Sequence, residues 1–205
     1  MSRFSEALAV GHAGETQIAK WLVSRGNTVV PAYEIEIQRG KGPRVYSPAG
    51  PIVAPDLCVI RGGRVIWVEA KHKTTFTWRR YRPGPRWETG VDLHHWREYQ
   101  RVQKATGAPV WLLFLHRESE PAPQDRPHVP AGETSPVGLF GICMDQAVHC
   151  ARISDQYAGG MAYWGVDDLV LLDEFIADDA AWLYKRGGED KGTEGLPMFT
   201  THEGQ

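Results

Sequence analysis

The order of apolar segments predicts an α/β protein with a mixed central sheet flanked by helices, followed by a C-terminal extension. Three observations carry this prediction. An amphipathic segment opens the chain, a hairpin apolar on both faces follows it, and a second helical segment then leads into the apolar run Val110 to Leu115. A hairpin with two apolar faces belongs in the middle of a sheet and not at its edge.

Taken in order, residues from about Ser5 to Arg25 are predicted helical, and Gly26 suits the end of that helix. Its apolar stripe contains Ile18, Ala19 and Leu22. Glu15 stands on the same stripe, where a carboxylate is costly unless paired or bound to a metal. On the first turn it would instead serve the helix dipole. Thr28 to Ile37 is predicted to be a strand, and Gln38 to Pro51 a basic loop holding Arg39, Lys41 and Arg44. After the hairpin, Asp92 is placed to cap a helix from Leu93 to Thr106 that Gly107 closes. Val110 to His116 is the next strand. Five prolines mark 118–136 as a surface loop or insertion. In the extension 137–186, Val137 to Met144 is predicted to be a strand and Gln146 to Tyr157 a helix. Met161 to Trp164 and Asp168 to Leu172 follow as an added hairpin, and Phe175 to Tyr184 as a short helix. The Gly-rich polar residues 187–205 are predicted to be a disordered tail.

At 205 residues the chain can bury a substantial core, as one domain with a decorated edge. No apolar run is long enough to span a bilayer, and Glu6 interrupts the only candidate for a signal peptide. Three cysteines without a CxxC pair suit a reducing, cytoplasmic setting and argue against a zinc finger. The net charge of −2 conceals an asymmetry. Residues 1–117 hold 18 Lys/Arg against 9 Asp/Glu, whereas residues 167–205 hold 3 against 10, so the first part favours an anionic partner.

The hairpin carries the chemistry. It runs from Pro55-Asp56 through Gly62-Gly63 to Glu69-Ala70-Lys71. A two-residue Gly-Gly turn sets Arg61 opposite Arg64, and the same register sets Asp56 opposite Glu69. Opposed residues share a face with side chains roughly 5 Å apart. Lys71 projects to that face beside Glu69. Two carboxylates this close repel unless a cation or a shared proton compensates. This arrangement suits a divalent metal; a surface salt bridge with Lys71 is the simpler alternative. From Ala70 to Trp87 the chain has no acid, and Lys71, Lys73, Arg79, Arg80, Arg82 and Arg86 interleave with Trp78, Tyr81 and Trp87. Such a segment can neutralise phosphates and stack on bases. His72, His94 and His95 lie close by in sequence, but no HExxH or Cys/His spacing supports zinc.

Pro55-Asp56, twelve intervening residues and Glu69-Ala70-Lys71 resemble the PD-(D/E)xK motif of the restriction-endonuclease-like nuclease superfamily. The element order resembles its αβββαβ core over residues 5–117, and the helical glutamate is most similar to the Holliday-junction resolvase branch. The resemblance implies that Asp56, Glu69, the Ala70 carbonyl and Glu15 hold Mg²⁺, with Mn²⁺ as a substitute. It implies that Lys71 positions the attacking water or stabilises developing charge, and that Tyr99 or Gln103 reaches the site from the second helix. The expected function is then a metal-dependent endonuclease on branched, single-stranded or otherwise unusual DNA. RNA and a homodimer stay open. The alternative is a catalytically inactive nucleic-acid-binding module on the same fold.

Overall fold

The computed structural model describes residues 3–32, 43–80, 84–155 and 159–174, with side chains of the first helix from Ala13 onward. That helix, α1, spans Arg3–Ser24. Gly26 then turns the chain at φ +80°, and the Asn27 side-chain amide donates to the Leu22 carbonyl at 2.8 Å. Strand β1 (Thr28–Pro31) follows, then a hairpin of β2 (Arg44–Ser47) and β3 (Gly50–Val53). The predicted hairpin forms as β4 (Leu57–Arg61) and β5 (Arg64–Lys73), turning at Gly62 and Gly63, both at positive φ. Strands β6 (Thr77–Arg79) and β7 (Arg86–Asp92) lead into helix α2 (Leu93–Thr106) and strand β8 (Val110–His116). Strand β9 (Gly138–Cys143), helix α3 (Met144–Cys150) and strands β10 (Arg152–Ser154), β11 (Met161–Gly165) and β12 (Val170–Asp173) complete the described chain.

The central sheet has six strands in the order β1-β4-β5-β8-β9-β12. Every neighbouring pair is antiparallel except β5 and β8, which run parallel with Glu69 beside Leu112 and Lys71 beside Phe114. The fold is therefore a mixed α/β fold with a central sheet flanked by helices. Alternation along β5 divides its side chains between two cores. Ile66, Val68 and Ala70 pack with Ile18, Trp21 and Leu22 of α1. Trp67 instead joins Val110, Leu112 and Phe114 of β8 against α2 and α3. A second, antiparallel sheet, β10-β11-β7-β6, contributes Val91, Ala162 and Trp164 to this latter core.

Several predicted elements differ. The basic loop 38–51 contains the β2–β3 hairpin in its described part, because Ile52 is buried in the α2 core and Glu98 Oε2 accepts the Val53 N–H at 3.1 Å. The predicted helix from Gln146 ends at Cys150, and the chain continues as β10. Strands β11 and β12 do not pair with each other. β11 joins β7, and β12 joins β9, which makes the extension part of the central sheet. The Pro-rich stretch is not merely a surface loop. Asp125 and Ser135 are buried, and their side chains accept the N–H groups of Trp78 (3.1 Å) and Phe76 (3.0 Å). The short helix from Phe175, the tail 187–205 and Tyr33 to Ile37 lie outside the described residues. Among the described residues no helix is long and apolar enough to cross a membrane.

Candidate active site

β4 and β5 adopt the register expected from the Gly-Gly turn, with Arg61 opposite Arg64 and Leu57 opposite Val68. Asp56 thus stands just before the paired part of β4, level with Glu69. Its Oδ2 accepts the Ala70 backbone N–H at 3.0 Å, so the carboxylate is tied to the backbone of the neighbouring strand. Glu69 is 1% exposed, which rules out a surface salt bridge. Lys71 Nζ contacts Glu69 Oε1, whereas Oε2 is buried with no hydrogen-bond partner. An unpaired buried carboxylate oxygen is costly, so its retention needs an explanation.

Two helices close on this centre from opposite faces of the sheet. α1 comes in tightly because Gly14 lies against His72, where an added Cβ would stand 2.3 Å from the His72 Cβ. That approach brings Glu15 into range of the centre, and its charge acts on both Asp56 and Lys71. From the other face α2 supplies Tyr99, 2% exposed, beside Glu69. Burial raises the Tyr99 phenol well above its ordinary pKa, and the Glu69 carboxylate adds to the effect.

The electrostatics are those of crowded acids around one cation. Burial pushes the Asp56 carboxyl well above its usual range, and Glu69 and Glu15 push it further, against the opposing pull of Lys71 and the Ala70 N–H. Burial alone would depress Lys71, but Glu69, Asp56 and Glu15 together hold its ammonium above the usual lysine range. Lys73, two residues along the same face, goes the other way. Burial and the Lys71 charge lower it, with Asp92 in partial opposition.

These residues fit a hard divalent cation. The orphaned Glu69 Oε2 and the repulsion among Glu15, Asp56 and Glu69 are both relieved by added positive charge. Mg²⁺ commonly takes only one or two protein carboxylates and completes its shell with water and phosphate. Among the described residues no group of three or more His, Cys, Asp or Glu side chains is arranged to hold a metal ion by itself. His94 and His95 sit with ring centroids 5.7 Å apart and tilted, outside any such group.

No family model matches the sequence, and no curated protein matches it. Among solved structures, the chain is similar to Hjc, a Holliday junction resolvase from the archaeal hyperthermophile Archaeoglobus fulgidus. The identity is 9% and the TM-score 0.44, over 77% of this chain and 90% of that one.

The remaining predicted residues are placed unevenly. Gln103 does not reach the site. It donates to Asp145 at 2.6 Å and accepts the Val110 N–H at 2.9 Å, fastening α2 to the start of β8 and to α3. Trp78 and Trp87 are buried against each other at 4.9 Å in an edge-on contact, with Phe76 and Phe140 beside them, so neither offers a face to a base. Arg79 and Arg86 converge on Glu88 at 3.0 and 3.1 Å. Arg80 is exposed, with Nη1 at 2.7 Å from His128 Nε2. Arg44 lies half-buried on β2, and Lys73 is half-buried at the site. Arg39, Lys41, Tyr81 and Arg82 lie outside the described residues.

Two features escaped the sequence reading. Asp92 occupies the N-cap position of α2 but makes no side-chain cap bond, and its charge acts instead on Lys73 and Tyr99. His116 is fully buried, stacked on Phe76 at 3.7 Å, and pushed down to a pKa of about 3 by burial, with Lys73 and His72 adding. Its place opposite Lys73 follows from the parallel β5–β8 register, which no local pattern announces.

Proposed function

We propose that this protein is a Mg²⁺-dependent nuclease of the PD-(D/E)xK type that hydrolyses DNA phosphodiester bonds. In this reading it is an endonuclease acting on branched, single-stranded or otherwise unusual DNA. The observation that carries the reading is Glu69, a fully buried carboxylate with one oxygen on Lys71 and the other unpaired, level with Asp56 across the hairpin.

Asp56 and Glu69 would hold the metal, with the Ala70 carbonyl and Glu15 as further oxygen donors. Mn²⁺ would serve the same oxygen donors as a substitute. When bound, the ion supplies Lewis-acid polarisation of the scissile phosphate and lowers the pKa of water. Lys71 keeps its proton, because three acids surround it, and so acts as a fixed positive charge for the phosphate and not as a base at neutral pH. The Ala70 N–H orients the Asp56 carboxylate. Tyr99 also keeps its proton and covers Glu69 from the α2 side, keeping bulk water away. Lys73 and Arg80 add positive charge near the path of the strand.

The test is a panel of end-labelled single strands, duplexes, flaps, four-way junctions and RNA, incubated with Mg²⁺, Mn²⁺ or EDTA. Cleavage is expected with either metal and not with EDTA. Asp56→Ala and Glu69→Ala should each abolish it while circular dichroism stays native. Lys71→Ala should lower the rate more than the metal affinity. Undiminished cleavage by both acid variants would sink the proposal. The Lys71–Glu69 contact, which already compensates one carboxylate oxygen, favours a second reading: a nucleic-acid-binding module without catalysis. Salt-sensitive binding with no cleavage anywhere in the panel would select it.

A further inference from the structure

The segment expected to stack on bases does not present its tryptophans, since Trp78 and Trp87 are both buried. The described residues offer one alternative. Tyr46, on β2, is 74% exposed, and no other Phe, Trp or Tyr whose side chain is described is exposed. Single exposed apolar residues are common and carry no meaning alone. Here the surroundings do.

The hairpin that holds Tyr46 is fastened on several sides. Ile52 is buried in the α2 core, where Val45 packs against it. Glu98 accepts the Val53 N–H at 3.1 Å, and the Ala54 N–H donates to the Pro43 carbonyl at 2.8 Å. At the turn Ser47 Oγ donates to the Gly50 carbonyl at 2.8 Å, with Gly50 at φ +108°. Such a hairpin, left alone in water, is marginal at best. These ties make it part of the core. With Val45 and Ile52 paired and turned inward, alternation sends Tyr46 outward, on the same face as Arg44. The β3 strand then runs through Ala54 and Pro55 into Asp56. Pro51, opposite Tyr46, is five residues from Asp56, so Pro51 lies at most about 18 Å from the site along extended chain, with Tyr46 one strand spacing of about 5 Å beyond it.

We propose that the β2–β3 hairpin is a substrate-contacting wing, on which Tyr46 stacks against an unpaired nucleobase a few nucleotides from the scissile phosphate. This rests on the nuclease reading and deepens it, because an aromatic beside the site selects substrates with unstacked bases over continuous duplex. Arg44 on the same face complements the phosphates flanking that base. A single tyrosine held by a rigid hairpin loses little conformational freedom on stacking, which suits it to sequence-tolerant contact.

The test uses the full-length chain carrying Asp56→Asn, in EDTA, so that DNA is bound and not cut. The probe is a single-stranded oligonucleotide with 2-aminopurine at successive positions, compared with the same sequence as a duplex. Quenching at one position is expected with Tyr46 and with Tyr46→Phe, and its loss with Tyr46→Ala. The alanine variant should bind the single strand about tenfold more weakly, with duplex affinity little changed. Because Tyr46 is exposed, the variant should fold normally, which a thermal melt checks. Equal affinity and equal quenching in the alanine variant would overturn the wing and leave the nuclease reading standing. A concentration-dependent dimer lost in Tyr46→Ala would also overturn it, by assigning the hairpin to contacts between copies. No binding of any nucleic acid by the parent would overturn both.

Discussion

Asp56 shows how one side chain carries the conflict built into the site. Its carboxyl is pushed up by burial and by Glu69 and Glu15, so in the absence of metal its charge opposes folding. A group whose folded pKa is raised contributes stability below its unfolded value, near 3.9, and that contribution is lost as pH rises through the folded value. Asp56→Asn should therefore stabilise the metal-free protein relative to the parent, increasingly so as pH rises through that range. Mg²⁺ should reverse the ranking. It should raise the melting temperature of the parent, by the equivalent of about 2.7 kcal/mol at a hundred times its Kd, and leave the variant unmoved. Differential scanning fluorimetry with and without Mg²⁺ checks both. Equal shifts in parent and variant would remove Asp56 from any metal site. The opposition of Asp56 and Glu69 was legible from the Gly-Gly turn, because a strand has a period of two and the turn sets the register. The choice between Tyr99 and Gln103 was not, since both lie on plausible faces of α2 and only the packing of that helix on β5 and β8 separates them.

Among the elements, α1 most directly controls the site. It is pinned at its C-terminal end, where Trp21 Nε1 and Arg25 both donate to Asp173 of β12 at 2.7 and 2.8 Å. Farther up, Gly14 lets it settle onto His72. The helix from Arg3 to Ser24 and its Glu15 could be read from spacing and from Gly26, but the need for a glycine at 14 could not. It arises from a strand distant in sequence. Gly14→Ala would place a methyl against the root of the His72 side chain, which has no freedom to move aside. The expected cost is about 1–3 kcal/mol, as for other overpacked sites. Urea unfolding measures that cost. Because the same displacement carries Glu15 away from Asp56 and Lys71, cleavage should fall in the variant even at temperatures where it remains folded. The basic segment after the hairpin illustrates the opposite outcome. Composition made it a binding loop, but β6 and β7 fold it into a sheet that draws its tryptophans inward and spends Arg79 and Arg86 on Glu88.

For the molecule as a whole, Glu88 and His116 govern the response to acid. Glu88 is 2% exposed and carries Arg79, Arg86 and Arg152, joining β6, β7 and β10 through one carboxylate. Burial opposes its charge, but the three arginines outweigh burial and hold its pKa below the usual range. Its contribution is present above the unfolded pKa, near 4.3, and is lost as pH falls through the folded value. His116, neutral and pushed down to about 3, adds a second loss that begins as pH falls through 6.5. These two groups should thus withdraw stability as pH falls from 7 toward 3, against the opposing contribution of Asp56. Glu88→Gln should cost about 1.5–3 kcal/mol at pH 7, because it removes the negative charge shared by three partly buried guanidinium groups, of which Arg86 keeps Asp168. The difference from the parent should shrink as pH falls below 4. Urea midpoints at several pH values check this, and a penalty independent of pH would show that Glu88 acts by shape and not by charge.

Period and punctuation alone were enough to establish the mixed α/β class, α1, the β4–β5 register, α2, β8 and the facing pair Asp56 and Glu69. Each depends on residues a few positions apart, and local chemistry suffices to specify it. The β2–β3 hairpin, the division of β11 and β12 between two sheets, the burial of Trp78 and Trp87 and the exposure of Tyr46 came only from the assembled molecule. All of these depend on which distant surfaces meet, and a burial or an ion pair between Glu88 and Arg152 leaves no mark at either position until the chain has folded.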